Sequence, residues 1–475
     1  MKKETSVLLL AGGLLSAASA LMAQQQKQPN IVFIICDDLR PELGCYGQRY
    51  IHSPHIDRWA KGGVVFERAY CNIAVSGASR ASLLTGYRPT RDTFEAWDCR
   101  TDKDAPHAIT LPQHFQSNGY TTISNGKVFH HQNETAQQYW HDILSPVPHT
   151  PMDYHSPENL LLMEQLAQTK KGKRGFFYEH GDFPEKEYID YQIAEKSVKD
   201  LEKLSRGGKP FLLAIGFIRP HLPFNTPQTY WDLYDESQIR IPANYHPDEQ
   251  SLIPRRALTS WGELRAYSGI PAQGALDEAT AKQMLHGYYA SVSFVDRQVG
   301  RVLEALRRLK LDKNTTVVLI GDHGWNLGEH GTWCKHSIMN TSLHSTLIIK
   351  SPHVRKPYHS KEIVEFVDLY PTLCDAAGIP HPAGVEGESL LPLLQSSQNK
   401  SKGYAVCRWE KGFTYIENQH FYTEWSDKQG EVVERMLFDH ATDPDENRNI
   451  VYRPENQGLV DYLSGQLNQK RGASF

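Results

Sequence analysis

NIVFIICDD, residues 30–38, places a continuous apolar run directly before two adjacent carboxylates, Asp37 and Asp38. An apolar run of this length is typical of a strand that is buried on both faces of a sheet. Two neighbouring carboxylates at the carboxyl end of such a strand repel each other unless a cation lies between them. The segment therefore predicts a central strand, followed either by metal ligands or by a solvated acidic turn.

A second segment of the same kind favours the metal site. Residues 316–320, TVVLI, are followed by GDHG, which contains Asp322 and His323. Two strands that deliver these side chains to one edge of a sheet create an oxygen-rich site suited to a hard divalent cation.

The segment SGASRASLLTG, residues 76–86, surrounds a hydroxyl group with small residues and carries an arginine four positions further on. It predicts a turn that opens into a helix, with Ser79 as the N-cap. Ser76 and Arg80 would then lie at the positive end of the helix dipole, where an anion is stabilised. Small residues before a helix are common, however, so the spacing alone does not establish an anion site.

The same segment resembles the signature of the formylglycine-dependent (type I) sulfatase family, in which a Cys or Ser is oxidised after translation. Ser76 matches the modified residue, Ala78 the Pro/Ala position, Ser79-Arg80 the Ser-Arg pair, and Thr85-Gly86 the closing Thr-Gly. Serine at the first position resembles the serine-type branch. That branch implies a radical sulfatase-maturing enzyme as a transient partner.

The resemblance implies a metal site and a role for each matching residue. Asp37, Asp38, Asp322 and His323 would hold the cation, and the formylglycine made from Ser76 would complete the site. The family implies Ca²⁺, although these residue types also suit Mg²⁺.

Three further motifs contain candidate site residues, and two of them, GKVFH and DHGWNLGEHG, resemble the iduronate-2-sulfatase-like branch of the family. GKVFH, residues 126–130, implies that Lys127 binds sulfate oxygens and that His130 holds a hydroxyl of the formylglycine hydrate; a surface turn is the alternative. IRPHLP, residues 218–223, presents His221 between two prolines after a predicted strand, which suits a general acid as well as a packed loop histidine. DHGWNLGEHG, residues 322–331, precedes Lys335, which would reach the sulfate oxygens.

The reaction implied by the family is hydrolysis of a sulfate ester. A hydroxyl of the hydrated formylglycine attacks sulfur, while Arg80, Lys127 and Lys335 neutralise charge on the sulfate oxygens. His221 protonates the departing sugar oxygen. The branch resemblance implies an exo-acting enzyme for the 2-O-sulfate of a terminal iduronic or unsaturated uronic acid in heparin or heparan sulfate.

A uronate also carries a carboxylate, which calls for one more cation in the pocket. Arg100 is the candidate for it, with an exposed loop arginine as the alternative, and Trp97, His131 and Trp325 are candidates for sugar contacts. Three other functions stay open: a sulfatase for another sulfated glycan, a phosphodiesterase or phosphonate hydrolase of the same superfamily, and a glycan-binding protein in which Ser76 is not oxidised.

Composition and net charge restrict which classes of binding partner are expected. The chain has 475 residues, 40% of them hydrophobic and 22% charged, and its formal net charge is −4. Because no global field attracts a polyanion, an anion site must be built locally, and nucleic acid is not an expected partner. The seven cysteines lack metal-binding spacing, and their odd number leaves at least one free.

The N-terminus predicts export to the periplasm or beyond. Lys2 and Lys3 precede an apolar run over residues 7–22, and Ala23 is followed by three glutamines, so residues 1–23 are predicted to be a signal peptide. A membrane anchor is the alternative. The run contains several Gly and Ser and is short for a span, so no anchor is expected.

Predicted buried strands that alternate with predicted helices indicate an α/β fold with a large mixed sheet and a site at the strand carboxyl ends. The family resemblance makes this sheet alkaline-phosphatase-like, with helices on both faces. Residues 132–200 look like irregular loops over the pocket. A polar, Pro- and Gly-rich stretch after residue 378 predicts a catalytic domain over 24–380. A C-terminal subdomain with a short antiparallel sheet would follow over 381–475.

Overall fold

A computed structural model of the chain describes residues 28–144, 151–169, 174–246 and 248–471. The predicted signal peptide lies outside the described residues. Among the described helices, none is long and apolar enough to cross a membrane. All seven cysteines lie in the described ranges and are free thiols.

The strands lie at β1 Asn30–Cys36, β2 Val64–Phe66, β3 Ala69–Tyr70, β4 Thr121–Gly126, β5 Asp142–Leu144, β6 Arg174–Phe176, β7 Tyr178–Gly181, β8 Phe211–Phe217, β9 Phe224–Pro227, β10 Tyr267–Ser268, β11 Thr315–Gly321, β12 Asn326–Leu327, β13 Trp333–Cys334, β14 Leu347–Lys350, β15 Tyr358–Ser360, β16 Val364–Glu365, β17 Tyr404–Trp409, β18 Gly412–Glu417, β19 His420–Ser426 and β20 Val432–Asp439. The α-helices lie at α1 Pro54–Ala60, α2 Ser76–Thr85, α3 Thr101–Asp104, α4 Leu111–Ser117, α5 Pro157–Ala167, α6 Ile189–Gly207, α7 Gln228–Trp231, α8 Glu278–Arg308, α9 Asn340–Leu343, α10 Leu369–Ala377, α11 Leu391–Gln395 and α12 Gln457–Lys470.

One large mixed sheet forms the centre of the fold, in the order β15-β2-β14-β11-β1-β8-β4-β5. Strands β11, β1, β8, β4 and β5 run parallel, and β14 is antiparallel to both β11 and β2. Crossover helices must therefore cover the faces of the parallel part. The predicted architecture, an α/β fold around a large mixed sheet, is confirmed.

Both faces of this sheet are buried, as the uninterrupted apolar run of β1 predicts. Ile31, Phe33 and Ile35 contribute to a core shared with α2, α4 and α10 on one face. Val32 and Ile34 contribute to a second core, which α1, α6 and α8 cover on the other face. The side chains of β1 thus alternate between two helical layers, which makes it the central strand of a three-layer structure.

The segment 132–200 contains more regular structure than predicted. Instead of loops throughout, it contains helices α5 and α6 together with strands β5, β6 and β7. Ile193, Ala194 and Leu201 lie on the buried face of α6, which packs against α8 and the sheet. The apolar spacing of α6 was present in the sequence, but the Tyr-, His- and Pro-rich residues before it obscured the helix.

The C-terminal part contains the predicted antiparallel sheet, with the order β17-β18-β19-β20 and helix α12 packed against it. This sheet contacts the segment just before α2: Arg408 N donates to Asn72 O at 2.8 Å, and Asn72 Nδ2 donates to Val406 O at 2.9 Å. Asn72 Nδ2 also donates to Glu365 Oε1 at 2.9 Å. The domain boundary near residue 380 remains a prediction.

Candidate active site

The acidic residues converge because β1 and β11 are parallel neighbours in register, with Cys36 opposite Gly321. Asp37, Asp38, Asp322 and His323 therefore leave the same edge of the sheet, and one ligand atom from each lies within 4.8 Å of the others. Asp38 adopts a positive φ of 64°, and its backbone N–H donates to Asp322 Oδ1 at 2.9 Å. All four side chains are buried.

Helix α2 directs Ser76 into this cluster. Ser76 Oγ lies 3.1 Å from Asp37 Oδ1 and 3.0 Å from His323 Nε2. Every residue of α2 is buried, and Ser76 itself is only 3% exposed. The predicted N-cap was wrong: Val75 occupies that position without a side-chain cap, and Ser79 Oγ donates instead to the Asp322 carbonyl at 2.5 Å. Ser79 thus joins α2 to the end of β11.

Arg80 lies against the acidic cluster and has no exposed surface. Its Nε donates to Asp322 Oδ2 at 2.9 Å, and Nη2 donates to Asp37 Oδ1 at 3.2 Å. Nη1 donates to the carbonyl oxygens of Lys127 and Val128. A planar guanidinium supplies several donors in a fixed fork, so one buried side chain can fix the acidic cluster and the Lys127 loop together.

Lys127 and Lys335 lie on opposite carboxylates of the cluster. Lys127 Nζ pairs with Asp37 Oδ2, whereas Lys335 Nζ lies 3.0 Å and 3.1 Å from the two oxygens of Asp38. With Arg80, three basic side chains face the three aspartates and Glu263, whose Oε2 lies 3.0 Å from Lys335 Nζ, so the local charge is close to balanced. A divalent cation would therefore leave an excess of positive charge, which suits an anionic substrate.

At each of the two adjacent aspartates, burial raises the carboxyl pKa and the neighbouring cations lower it. Burial alone would raise the pKa of Asp37, but Lys127, His221 and Arg80 hold that pKa well below its usual value. At Asp38 burial dominates and raises the pKa despite Lys335 and His221. Three carboxylates and one imidazole nitrogen at this spacing fit a hard divalent cation, and their residue types do not distinguish Ca²⁺ from Mg²⁺.

His221 lies beside the cluster with both ring nitrogens in contact with acceptors. Nδ1 is 2.5 Å from the Leu222 carbonyl, and Nε2 is 3.0 Å from Glu263 Oε1 and 3.8 Å from Asp38 Oδ2. Burial and Lys335 lower the pKa of His221, but Asp38, Glu263 and Asp37 together raise it above its usual value. Sequence analysis missed Glu263, because no motif surrounds it and its partners are distant in the chain.

His130 lies in the loop after β4, where burial and then Lys127 lower its pKa to about 2. Its ring centroid is 6.5 Å from that of Trp97 and 4.8 Å from that of His131. Its Nδ1 is buried without a hydrogen-bond partner among the described residues. Trp97 is 62% exposed, so these three aromatic side chains form a cluster that is reached from solvent at Trp97.

The candidates for sugar contacts differ in their surroundings. Trp325 is 0% exposed, so its predicted sugar contact was wrong. Its indole instead packs against Lys335, whose Nζ lies 5.0 Å from the ring centroid. The guanidinium of Arg100 pairs with both oxygens of Asp102, at 2.8 Å and 2.7 Å, and also donates to Asn133. The charge of Arg100 is thus already matched within its own loop.

Comparison with known proteins gives consistent matches. The sequence model of the Sulfatase family matches residues 29–379, and that of "N-sulphoglucosamine sulphohydrolase, C-terminal" matches residues 328–473. Iduronate 2-sulfatase of Mus musculus is 34% identical over 417 residues, which cover 78% of this chain and 73% of the mouse protein.

Two solved structures show the same fold. One, described as a complex with its substrate D-glucosamine-2-N,6-O-disulfate, matches with a TM-score of 0.74 and 23% identity over 93% of this chain and 97% of that one. The other, a phosphonate monoester hydrolase from Silicibacter pomeroyi, matches with a TM-score of 0.73 and 20% identity over 94% and 95%. At this identity they bear on the fold alone, which is alkaline-phosphatase-like as predicted.

Proposed function

Because the chain belongs to the sulfatase family, in its iduronate-2-sulfatase-like branch, and is a sulfuric ester hydrolase, we propose that it removes the 2-O-sulfate of a terminal uronic acid. The uronic acid, iduronic or unsaturated, would be the non-reducing end of a heparin or heparan sulfate fragment. We also propose that the enzyme is exported and that a radical maturing enzyme oxidises Ser76.

One observation carries the proposal: Ser76 Oγ lies between Asp37 and His323 at the start of a buried helix. An unassisted serine hydroxyl is a weak nucleophile. Formylglycine at this position would supply a hydrate as nucleophile, and a divalent cation bound by Asp37, Asp38, Asp322 and His323 would supply Lewis-acid polarisation.

The remaining groups have roles that follow from their positions. Lys127 and Lys335 extend from opposite sides of the acidic cluster and would bind peripheral sulfate oxygens, whereas Arg80 keeps the cluster and the Lys127 loop in place. The Nε2–H of His221 is the ring donor available for the leaving sugar oxygen, because Nδ1 already faces the Leu222 carbonyl. His130 borders the same loop, and we propose that it contacts the formylglycine hydrate.

The burial of Ser76 supports an exo mode. At 3% exposure, the modified residue is reached only by a group that enters a deep site. A sulfate on a terminal sugar can enter end-on, whereas an internal sugar would require the chain to bend into the pocket.

The uronate carboxylate requires a cation that is not committed to the sulfate. Arg100 is paired with Asp102, whereas Arg174 is 38% exposed and its Nη1 lies 3.7 Å from Glu263 Oε1, beside His221. We propose Arg174 for the carboxylate, in place of Arg100.

The test measures sulfate release from matched disaccharides that carry one sulfate at uronate O2, at glucosamine O6 or at glucosamine N. We expect release from uronate O2. Arg174→Ala should raise KM for this substrate but not for its carboxyl-reduced analogue, with Arg100→Ala as the matched control. Release from glucosamine alone would refute the uronate assignment, and faster hydrolysis of an aryl phosphodiester than of the matched aryl sulfate would favour phosphodiester chemistry.

A further inference from the structure

Glu263 is a largely buried carboxylate at the active site whose role neither the sequence motifs nor the family resemblance defines. Its side chain is 13% exposed. Its neighbours in the chain, Trp261 and Leu264, belong to the core on the α8 face of the sheet, so the backbone at Glu263 is held on both sides. A carboxylate in such a place is costly to bury unless it is paired.

Each oxygen of Glu263 contacts a different cationic group of the proposed reaction. Oε1 lies 3.0 Å from His221 Nε2, with Arg174 Nη1 further away at 3.7 Å, and Oε2 lies 3.0 Å from Lys335 Nζ. Lys335 Nζ lies 3.0 Å from Asp38 Oδ1 as well as from Glu263 Oε2, so one ammonium group pairs with both carboxylates. Glu263 therefore bridges the proposed general acid and the proposed sulfate-binding lysine.

The other contacts of these two groups leave their positions incompletely defined without Glu263. The Nδ1–Leu222 contact fixes one end of the His221 ring, but the ring can still turn about its side-chain bonds. Lys335 has a flexible stem, and its other ionic partner within the described part of the chain is Asp38, which would also be a metal ligand. A carboxylate that contacts both groups restricts the rotation of the His221 ring and the movement of the Lys335 side chain.

We propose that Glu263 is a positioning residue that holds His221 at the leaving oxygen and Lys335 at the sulfate. This inference rests on the roles of His221 and Lys335 in the proposed function. The Nε2–H that faces Glu263 would also face the leaving oxygen, to which the proton passes as the S–O bond breaks. Glu263 itself gains no proton and forms no bond.

The simplest alternative is that Glu263 only neutralises nearby positive charge. The two roles predict opposite signs for the binding of inorganic sulfate to the Glu263→Gln variant. If Glu263 is merely a counter-charge, its removal relieves repulsion of the dianion, and sulfate binds more tightly. If Glu263 positions Lys335, its removal lets the ammonium group leave its place, and sulfate binds more weakly.

The experiment measures Kd for inorganic sulfate by calorimetry on the matured, metal-loaded enzyme, together with kcat and KM on whichever disaccharide the wild type desulfates. For Glu263→Gln we expect Kd to rise about tenfold and kcat to fall about 100-fold, because a general acid contributes about 10²–10⁴ to the rate. Glu263→Asp keeps the charge with a shorter reach and should recover part of both losses.

Glu329→Gln is the matched control, since Glu329 is 15% exposed and pairs with Arg40 at 2.7 Å, away from His221 and Lys335. Its sulfate Kd should stay within about twofold of wild type. Tighter sulfate binding in Glu263→Gln, or an unchanged kcat, would overturn the inference. Failure on uronate substrates alone would refute the proposed sugar and leave the sulfate-binding result valid.

Discussion

Replacing Asp322 by Asn should separate the structural and the metal-binding contributions of one carboxylate. Asp322 Oδ2 accepts from Arg80 Nε at 2.9 Å, and Oδ1 accepts from the Asp38 N–H at 2.9 Å. Asparagine can keep one of these acceptors, but its amide then places a donor against a donor. Breaking a buried ion pair costs about 3–5 kcal/mol. Because Arg80 keeps Asp37 at 3.2 Å, we expect a loss of about 3 kcal/mol.

The measurement is urea unfolding at pH 7, with and without a chelator. Wild type should lose stability on chelation because the cation binds the folded cluster. Asp322→Asn should be less stable in both conditions and should show a smaller chelator effect, and its activity should fall at least about 100-fold. Asp190→Asn is the control, since Asp190 is equally buried but accepts backbone N–H groups of Ile218 and Arg219. An Asp322→Asn variant with the full chelator effect would refute the metal assignment.

Two further predictions concern single side chains. Ser76→Ala should abolish turnover, lose only about 1 kcal/mol of stability, and fail to show the loss of two hydrogens that mass analysis should find in the mature wild-type peptide. Full activity in this variant would exclude the mechanism. Asp296 accepts the N–H groups of His55 and Ile56, and burial raises its pKa to about 7. A raised carboxyl pKa means that the folded state retains its proton above the unfolded pKa, so stability falls as pH rises between about 4 and 7. The free energy of unfolding of Asp296→Asn, measured with urea, should rise relative to that of wild type by about 1.4 kcal/mol per pH unit in that window. A difference between the two proteins that does not change with pH would contradict this prediction.

The sequence predicts the elements whose patterns are local. The apolar runs of β1 and β11 identify their strands, because burial on two faces dictates residue type position by position. The convergence of Asp37, Asp38, Asp322 and His323 follows in turn from the parallel pairing of two such strands.

What the sequence could not provide depends on contacts between distant segments. Glu263 reaches His221 and Lys335 only after three separate loops have folded together. Trp325 looked like a sugar-binding aromatic residue, but tertiary packing places it under Lys335. Serine is a preferred N-cap residue, but the Ser79 hydroxyl donates to the Asp322 carbonyl instead. Spacing along the chain contains no information about any of these partners.

The burial of α2 has a consequence for the order of events during synthesis. Ser76 is enclosed by parts of the chain that are translated much later, among them His323 after β11 and strand β17, whose Arg408 is hydrogen-bonded to Asn72. The active site of another enzyme cannot close around Ser76 in the folded protein, because every residue of its helix is buried. The proposed oxidation of Ser76 would therefore have to precede the completion of folding. Conditions that accelerate folding would then shorten the time available for the proposed oxidation, so the yield of active enzyme would depend on the relative rates of folding and oxidation.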